Sequence, residues 1–310
     1  MHRVVIIAGP TASGKSGLAL AVAREFSGSV INADSMQLYA ELPILTAQPS
    51  AAEQAQAPHR LYGVLRAGDP SSAGRWRTMA VAAIDQALQA GRLPIVVGGT
   101  GLYIRSLLEG LSPIPDIPAE ARQEAGRLWA ELGAAKFRER LAERDPQIVA
   151  RLEPSDRQRH IRAYEVLAAT GTALSQWQKL PAEGPPPGLV FSTIVLLPPR
   201  EVLRQAIARR FAAMVEAGAL KEVAAVAATP SGRSLLQKVL GGAALAEHLS
   251  GKIPLDQAVS LAVTATNQYA KRQHTWLRHQ IIADLLFQKQ LSEQKSPEIL
   301  SFIRQSRLTA

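Results

Sequence analysis

The sequence contains no cysteine. Disulfide bonds, thiolate metal sites and a cysteine nucleophile are therefore excluded, and a reducing compartment such as the cytoplasm is the expected location. No run reaches the roughly 20 uncharged apolar residues that a membrane-spanning helix needs. The first nine residues lead into a glycine loop and show no signal-peptide cleavage site. We therefore expect a cytoplasmic protein that does not enter a membrane.

Two signatures of catalytic or metal sites are also missing. The six histidines lack metal-site spacing, because His274 and His279 are five residues apart and diverge on a helix. No G-x-S-x-G segment is present, which argues against the nucleophile elbow of α/β hydrolases. Neither a histidine metal centre nor a serine hydrolase is predicted.

The composition favours a globular protein with a polyanionic partner. The chain has 310 residues, 47% hydrophobic and 20% charged, which is enough for one large domain or two ordinary ones. Lys and Arg number 35 against 26 Asp and Glu, a formal charge of +9. An excess of positive charge of this size favours nucleic acid as a partner.

Strand-like and helix-like segments alternate in the first hundred residues, which predicts an α/β fold with a parallel sheet core flanked by helices. Ligands of such sheets bind beyond the carboxyl ends of the strands, and Asp34 and Thr100 both follow a predicted strand. The predicted strands are 3–8, 30–34, a third around 61–65, 93–97, and 189–197.

An all-helical domain is predicted as an insertion in this core. Composition shifts to helical periodicity after the proline-rich segment 112–118, and the three prolines at 185–187 end the helical stretch. The predicted organisation is 1–117 as the first part of the core, 118–182 as the inserted helical domain, 183–290 as a core strand with C-terminal helices, and 291–310 as a polar tail.

A phosphate-binding loop lies between the first predicted strand and helix. Its glycines let backbone N–H groups curl around phosphate oxygens, Lys15 adds a full charge, and the Ser16 hydroxyl can ligate Mg²⁺. We therefore predict a diphosphate or triphosphate ligand. The loop fits G-x-x-x-x-G-K-[ST] with Gly9, Pro10, Thr11, Ala12, Ser13, Gly14, Lys15 and Ser16.

The loop does not specify which bond breaks. A nucleotide hydrolase needs a second strand that ends in a metal-binding Asp, but the apolar run 95–97 ends in Gly98-Gly99-Thr100. A P-loop kinase that uses ATP remains open, with Asp34 as its base. An RNA-binding protein with a regulatory nucleotide switch ranks lower. Asp34 could also be only the N-cap of a following helix.

Several separate motifs together resemble the tRNA dimethylallyltransferase (tRNA isopentenyltransferase) family. They occur in the family's order from residue 4 to about 280. Besides the loop they are NADSMQLY at 32–39, VGGTGLY at 97–103, DRQRHIRAYE at 156–165 and YAKRQHTWLR at 269–278.

The resemblance implies an enzyme that transfers a dimethylallyl group from dimethylallyl diphosphate to N6 of the adenosine 3′-adjacent to the tRNA anticodon. The P-loop would hold a diphosphate that leaves whole, with Mg²⁺ at Ser16, and Thr11 would face it. Asp34 is the implied general base and Thr100 the hydroxyl that orients N6. The absence of adjacent aspartates argues against the aspartate-rich diphosphate clamp of other prenyl enzymes. We expect a monomer.

The family match also implies which residues contact tRNA. The target base must be flipped out of its stack, and contacts to phosphate must offset that cost. Basic residues mixed with aromatics at 267–280 suit such a role, although Trp276 could be a core residue. The implied contacts are Asp34, Ser35, Met36, Gln37, Thr100, Arg122, Gln158, Arg159, His160, Ile161, Arg162, Lys271, Arg272 and Arg278.

The chain departs from the family pattern at five positions, which concern substrate affinity more than reaction type. Basic residues are missing at three of them, and Arg204 or Arg209 could compensate. The departures are Leu45, Gln48, Ala206, Gly242 and Asn267.

Overall fold

The computed structural model describes residues 1–289 and 296–308. Within them the chain forms two compact units, each treated separately below. An α/β unit comprises Met1–Leu108 and the chain from Pro186 onward, and a helical unit comprises Glu109–Pro185. No helix in these described ranges is both long and apolar enough to span a bilayer.

The α/β unit is built on six parallel strands in the order β3-β2-β4-β1-β5-β6. This sheet, covered by helices, confirms the predicted fold class. The strands are β1 (His2–Ala8), β2 (Gly28–Asn32), β3 (His59–Arg60), β4 (Leu93–Gly98), β5 (Leu189–Leu196) and β6 (Leu285–Phe287).

The described helices are numbered in chain order. They are α1 (Lys15–Glu25), α2 (Ala51–Gln54), α3 (Ala73–Gln89), α4 (Gly101–Glu109), α5 (Ala119–Ala142), α6 (Pro146–Arg151), α7 (Arg157–Thr170), α8 (Leu174–Trp177), α9 (Arg200–Glu216), α10 (Ala219–Ala227), α11 (Pro230–Leu236), α12 (Gly242–Leu249), α13 (Leu255–Gln280) and α14 (Pro297–Leu308).

Both faces of the sheet are buried, as expected for parallel strands. Along β1, Val4 and Ile6 point into one apolar core, whereas Val5 and Ile7 point into the other. The first core is covered by helices that include α3 and α4, and the second by α1 and α14. The continuous apolar run of β1 therefore reflects burial on two sides.

Three predictions for the α/β unit need correction. The third strand is His59–Arg60 and not 61–65, because Leu61 adopts a left-handed φ of 63°, which ends the extended chain. The short edge strand β6 was not predicted. Residues 297–308, predicted as polar tail, form α14, whose Ile299 and Ile303 are fully buried in the second core. Of the remaining tail residues, Ser296 is buried, whereas 291–295, 309 and 310 lie outside the described ranges.

The helical unit consists of α5, α6, α7 and α8 and has its own apolar core, in which Leu141, Ile148 and Val166 are buried. The unit spans Glu109–Pro185 and so extends beyond both ends of the insertion predicted at 118–182. Helix α5 is interrupted at Gly133, whose φ of 71° is strained for other residues. Because its core contains no residue of the six described strands, the helical unit buries apolar surface of its own.

Candidate functional site

The P-loop joins β1 to α1 and closes in a glycine turn. Gly14 has a φ of 84° and is the N-cap of α1, a conformation that favours glycine. The Lys15 Nζ donates a hydrogen bond to the carbonyl of Pro10 at 3.2 Å, so the side chain folds back over the loop. The Ser16 side chain is exposed on the first turn of α1. Free N–H groups and the helix dipole at this end favour an anion.

Three neighbouring strands bring the predicted catalytic residues to one edge of the sheet. β2, β4 and β1 are adjacent, and they are followed by Asp34, Thr100 and the P-loop, respectively. The Thr100 N–H donates to the carbonyl of Ala33 at 3.1 Å. The Thr100 Oγ1 accepts a hydrogen bond from the Ser35 N–H at 3.0 Å. The ends of β2 and β4 are thereby joined directly at this edge.

Asp34 lies in a turn and does not cap a helix. Its N–H donates to Asn32 Oδ1 at 2.8 Å, and its own Oδ1 accepts from the Met36 N–H at 3.0 Å. Asn32 Nδ2 donates back to the Asp34 carbonyl at 3.0 Å. This turn uses one of the two carboxylate oxygens of a half-buried side chain. The N-cap interpretation is therefore wrong.

Burial and nearby charges change the ionisation of the site. Burial lowers the pKa of Lys15 to about 8, an effect that the Asp34 charge opposes and the Arg210 charge reinforces. Burial also lowers the pKa of Arg210, again opposed by Asp34. Burial, with the Asp34 charge, raises the pKa of Tyr269 to about 12. The Asp34 charge therefore supports the charge of both cations, whereas the raised pKa of Tyr269 is mainly an effect of burial.

Arg210 is a site residue that the sequence analysis missed. Its guanidinium donates a hydrogen bond to the hydroxyl of Thr11 in the P-loop. On α9 the buried stripe contains Ile207, Phe211 and Met214, and Arg210 falls at helical spacing within it. A charged residue within an apolar helical stripe was the sequence signal that could have identified Arg210 as a site residue. Arg204 instead pairs with Glu201 on the surface at 3.5 Å, so it does not replace a missing site cation.

Gln273 was missed for a similar reason. It lies on α13 in a buried stripe with Thr266, Ala270 and Leu277. Its Oε1 accepts from the Thr11 N–H at 2.9 Å. A buried amide at this spacing marks a polar contact inside the fold, because buried polar groups are almost always hydrogen-bonded.

A cleft of about 340 Å³ opens beside these residues. Its lining includes the polar and charged groups of Thr11, Asp34 and Arg210. It also includes the apolar side chains of Leu45, Ile207, Phe211, Met214, Val239 and Leu240. Ser35, Met36, Thr46, Lys238, Thr266, Tyr269 and Arg272 complete the lining. The cleft therefore suits a ligand with an anionic head and a short apolar body.

The end of β4 is closed by tight packing. A Cβ on Gly98 would lie 2.1 Å from the Ala33 carbonyl oxygen, and one on Gly99 would lie 2.3 Å from Gln273 Nε2. An acidic side chain at either position would therefore displace the neighbouring strand or α13. This explains why the strand-end Asp of nucleotide hydrolases has no counterpart here.

Few of the described side chains near the P-loop could bind Mg²⁺ directly. Among residues 1–289 and 296–308, no three His, Cys, Asp or Glu side chains cluster as a metal site. Mg²⁺ commonly keeps several waters and binds through few protein oxygens plus substrate phosphates. The exposed Ser16 hydroxyl at the start of α1 is a hard oxygen donor of that kind, so the residues present fit a magnesium ion that arrives with a diphosphate.

Ser35, Met36 and Gln37, predicted to contact tRNA, follow Asp34 around the cleft. Ser35 and Met36 line it. Gln37 instead supports its rim, because Nε2 donates to the carbonyls of Thr46 and Ala47 at 2.9 and 2.8 Å.

In the helical unit, two of the predicted tRNA-binding arginines share one buried carboxylate. Glu165 is 3% exposed. Its Oε2 pairs with Arg122 Nε at 3.4 Å and its Oε1 with Arg162 at 2.6 Å. Glu165 therefore links α5 to α7 and holds both arginines at the unit's surface.

The neighbouring residues of α7 differ in accessibility. Gln158 and Arg159 are exposed and Ile161 is half-buried. The His160 side chain is fully buried, with Nδ1 2.8 Å from the Asp156 carbonyl and the ring 5.8 Å from that of Trp129. This placement contradicts the predicted direct contact of His160 with RNA: it occupies a core position of the unit.

In the α/β unit, the exposed face of α13 carries Lys271, Arg272 and Arg278. The Arg272 guanidinium lies 5.7 Å from the centre of the Tyr269 ring, a cation–π distance. Trp276 packs on Gly101, where a Cβ would lie 2.0 Å from the indole. The structure thus gives Trp276 a packing role and leaves the three basic residues accessible.

Most of the five departures from the family pattern have packing roles. Leu45 is buried, and the Nε2 of Gln48 donates to the Tyr39 carbonyl at 2.7 Å. A Cβ on Gly242 would lie 2.5 Å from the Leu236 carbonyl oxygen, so the local chain path requires glycine. Ala206 and Asn267 are half-buried, and no contact in the structure explains either choice.

Comparison with known proteins identifies the family. The family model IPP transferase matches residues 37–280, and the model Isopentenyl transferase matches residues 2–68. A tRNA dimethylallyltransferase of Paramagnetospirillum magneticum is 52% identical over 307 residues, covering 99% of this chain and 97% of the relative. One of Rhodospirillum centenum is 52% identical over 281 residues, covering 90% of each chain.

Solved structures agree with this assignment. A tRNA delta(2)-isopentenylpyrophosphate transferase of Staphylococcus epidermidis aligns over 100% of this chain and 99% of its own, with 28% identity and a TM-score of 0.67. A eukaryotic dimethylallyltransferase acting on tRNA aligns over 99% of this chain and 79% of its own, with 26% identity and a TM-score of 0.82. The predicted resemblance is therefore confirmed, and the chain belongs to the tRNA dimethylallyltransferase family.

Proposed function

We propose that this chain transfers a dimethylallyl group from dimethylallyl diphosphate to N6 of the adenosine 3′-adjacent to the anticodon in tRNA. The observation that carries the proposal is the cleft beside the P-loop, whose lining combines the cationic Arg210 and the P-loop residue Thr11 with several apolar side chains. Five-carbon donors with an anionic head have this polarity. The names of the relatives give a five-carbon isoprenoid group as what is transferred and tRNA as the substrate class.

In the proposed reaction the lone pair of N6 attacks C1 of the dimethylallyl group. The C1–O bond breaks, and its electron pair leaves with the diphosphate. Lys15, Arg210 and the loop amides would neutralise the charge that develops on the departing oxygen. Asp34 would take the N6 proton as the new C–N bond forms, because the adenine lone pair is delocalised and nucleophilic only when the proton is removed.

Thr100 would orient the acceptor base. Its Oγ1 accepts from the Ser35 N–H, and its hydroxyl also contacts the Ser35 Oγ at 3.5 Å and the Tyr269 phenol. When the base binds, the hydroxyl would exchange these contacts for a hydrogen bond to a ring nitrogen of adenine. Thr100 follows β4, and Asp34 follows the adjacent strand β2. The acceptor nitrogen and its base would then be held from two adjacent strands.

Mg²⁺ bound at Ser16 would supply additional positive charge to the diphosphate. The protein residues that would hold it are the Ser16 hydroxyl and, through the diphosphate, the P-loop. Removal of divalent metal with a chelator is expected to slow transfer and to leave tRNA binding intact.

The proposed tRNA contacts lie on both units. In the helical unit they are Arg122, Gln158, Arg159, Ile161 and Arg162, and in the α/β unit Lys271, Arg272 and Arg278. The arginines and lysine among them combine positive charge with accessible side chains, which suits contacts to phosphate.

The direct test uses unmodified tRNA, Mg²⁺ and dimethylallyl diphosphate labelled in its isoprenoid carbon. After nuclease digestion, the label should be found on the adenosine 3′-adjacent to the anticodon. A parallel reaction contains ATP labelled in its γ-phosphate. Transfer from ATP without prenylation of RNA would overturn the proposal in favour of a P-loop kinase.

A further inference from the structure

The side-chain amide of Gln273 spans two parts of the α/β unit. Gln273 is 5% exposed. Its Oε1 accepts a hydrogen bond from the Thr11 N–H at 2.9 Å, and its Nε2 donates one to the Gly99 carbonyl at 2.8 Å. A buried amide with both ends paired in this way has a fixed orientation.

The two partners belong to different substrate sites of the proposed reaction. Thr11 lies in the P-loop, which would hold the diphosphate. Gly99 directly precedes Thr100, which would orient the adenine. A Cβ on Gly99 would lie 2.3 Å from the amide nitrogen, so the close approach of Gln273 depends on this glycine.

Each substrate site also has supports that do not involve Gln273. In the P-loop, Lys15 is held by the Pro10 carbonyl at 3.2 Å. Beyond β4, the Thr100 hydroxyl is held by the Ser35 N–H at 3.0 Å. Loss of the Gln273 amide would therefore leave both binding sites present and loosen the distance between them.

We propose that Gln273 is a positioning residue that fixes the donor-binding loop relative to the acceptor-binding end of β4. This inference rests on the proposed function. Transfer requires the attacking nitrogen and C1 to approach within about 3–3.5 Å, and a misplacement of about 1 Å can cost about 100-fold in rate. The amide acts on the reaction through Thr11 and Gly99 and touches neither reacting atom.

The first variant, Gln273→Met, keeps the side-chain volume and removes both hydrogen bonds. We expect kcat to fall about 10- to 100-fold, with the KM of each substrate changed less than about threefold. The steady-state rates that give kcat and KM are normalised to the concentration of active sites, so that a smaller folded fraction does not lower them. The matched control is Gln257→Met, an exposed glutamine near the start of the same helix, which should match the wild type.

The second variant, Gln273→Glu, separates positioning from packing by its pH dependence. An ionised carboxylate can accept from the Thr11 N–H but repels the Gly99 carbonyl, whereas the protonated acid can donate to it. Burial raises the pKa of such a carboxyl group. The ratio of the Gln273→Glu rate to the wild-type rate should therefore rise as pH falls from 8 to 5.5. The corresponding Gln273→Met ratio should stay flat.

A readout without turnover tests the geometry itself. Amide hydrogen exchange at Thr11 should be slow in the wild type and in Gln257→Met and faster in Gln273→Met. Unchanged exchange at Thr11, or a Gln273→Met variant with wild-type kcat, would show that the amide does not position the loop. A higher donor KM at unchanged kcat would equally overturn the proposal.

These results are distinguishable from failure of the proposed function. If the wild type does not prenylate tRNA, the proposed function is wrong, whatever the variants do. If the wild type does so and the Gln273→Glu ratio is independent of pH, only the positioning role is wrong. Should Gln273→Met not fold, the pH ratio of Gln273→Glu decides alone.

Discussion

The hydroxyl oxygen of Thr100 accepts a hydrogen bond from the backbone N–H of Ser35 at 3.0 Å. This contact joins the residue after Asp34 to the end of β4, so that the carboxylate and the hydroxyl belong to one structure at the sheet edge. The backbone beside Asp34 and the Thr100 hydroxyl therefore keep a fixed spacing. The proposed base and the proposed orienting group would therefore act on the same nitrogen.

Assayed well below the pKa of Lys15, where its ammonium stays charged, Asp34→Asn should retain substrate binding and lose most turnover. The asparagine Oδ1 can still accept from the Met36 N–H, so the turn is preserved. General-base catalysis contributes about 10² to 10⁴ in rate, and single-turnover prenylation of tRNA should fall by that factor. Asp85→Asn, an exposed carboxylate on α3, serves as the control. Full activity of Asp34→Asn would exclude Asp34 as the base.

Donor capture should weaken in alkaline solution because of Lys15. Its ammonium is charged below its pKa of about 8 and neutral above it, so kcat/KM for dimethylallyl diphosphate should fall as pH rises through about 8. A profile that stays flat to pH 9.5 would contradict this assignment.

The cause of that pKa gives an internal control. Arg210 lowers the pKa of Lys15 and Asp34 raises it. Removing the charge of Arg210 should therefore move the alkaline limb to higher pH, and Asp34→Asn should move it to lower pH. If the alkaline limb moved in the same direction in both variants, the titrating group would not be Lys15.

Arg210→Gln should weaken donor binding more than tRNA binding. The guanidinium contacts Thr11 and lines the cleft, and a hydrogen bond to a charged group contributes about 1.5–3 kcal/mol. The KM for dimethylallyl diphosphate should rise about 10- to 100-fold, measured at saturating tRNA. Arg92→Gln, exposed just before the amino end of β4, should have no effect. An unchanged donor KM in Arg210→Gln would place the diphosphate elsewhere.

The strands and the phosphate loop could be predicted because local chemistry determines them. The apolar run before Gly9 is buried on both sides, and Gly14, with a φ of 84°, closes the loop at the start of α1. Asp34 could be placed at the sheet edge because it follows such a run. These features need no knowledge of distant contacts.

The features that were missed depend on residues far apart in sequence. Arg210 meets Thr11 across 199 positions, and Gln273 meets it across 262. The burial of His160 depends on packing against Trp129, and that of Ile299 on the second core of the sheet. A basic or polar side chain at helical spacing looks the same in sequence whether it faces solvent or the interior. Its role is settled only by what packs against the helix.

The difference between a basic side chain that faces solvent and one that is buried can be tested on two adjacent residues of α7. Arg159 is exposed and paired with Asp156 at 3.4 Å, a surface pair of little energetic weight. Arg159→Ala should therefore preserve the melting temperature and weaken tRNA binding. The slope of log affinity against log salt should flatten by about 0.7 to 0.9 for one lost phosphate contact.

His160→Leu should show the opposite pattern. Its ring is fully buried, so replacement changes packing in the helical unit and lowers the melting temperature. Because no ring atom is accessible to a phosphate, the salt slope of tRNA binding should equal that of the wild type. Affinities are measured by filter binding between 50 and 200 mM salt, with the protein well below its melting temperature. A flatter slope in His160→Leu, with an unchanged melting temperature, would show that His160 contacts RNA after a rearrangement of α7.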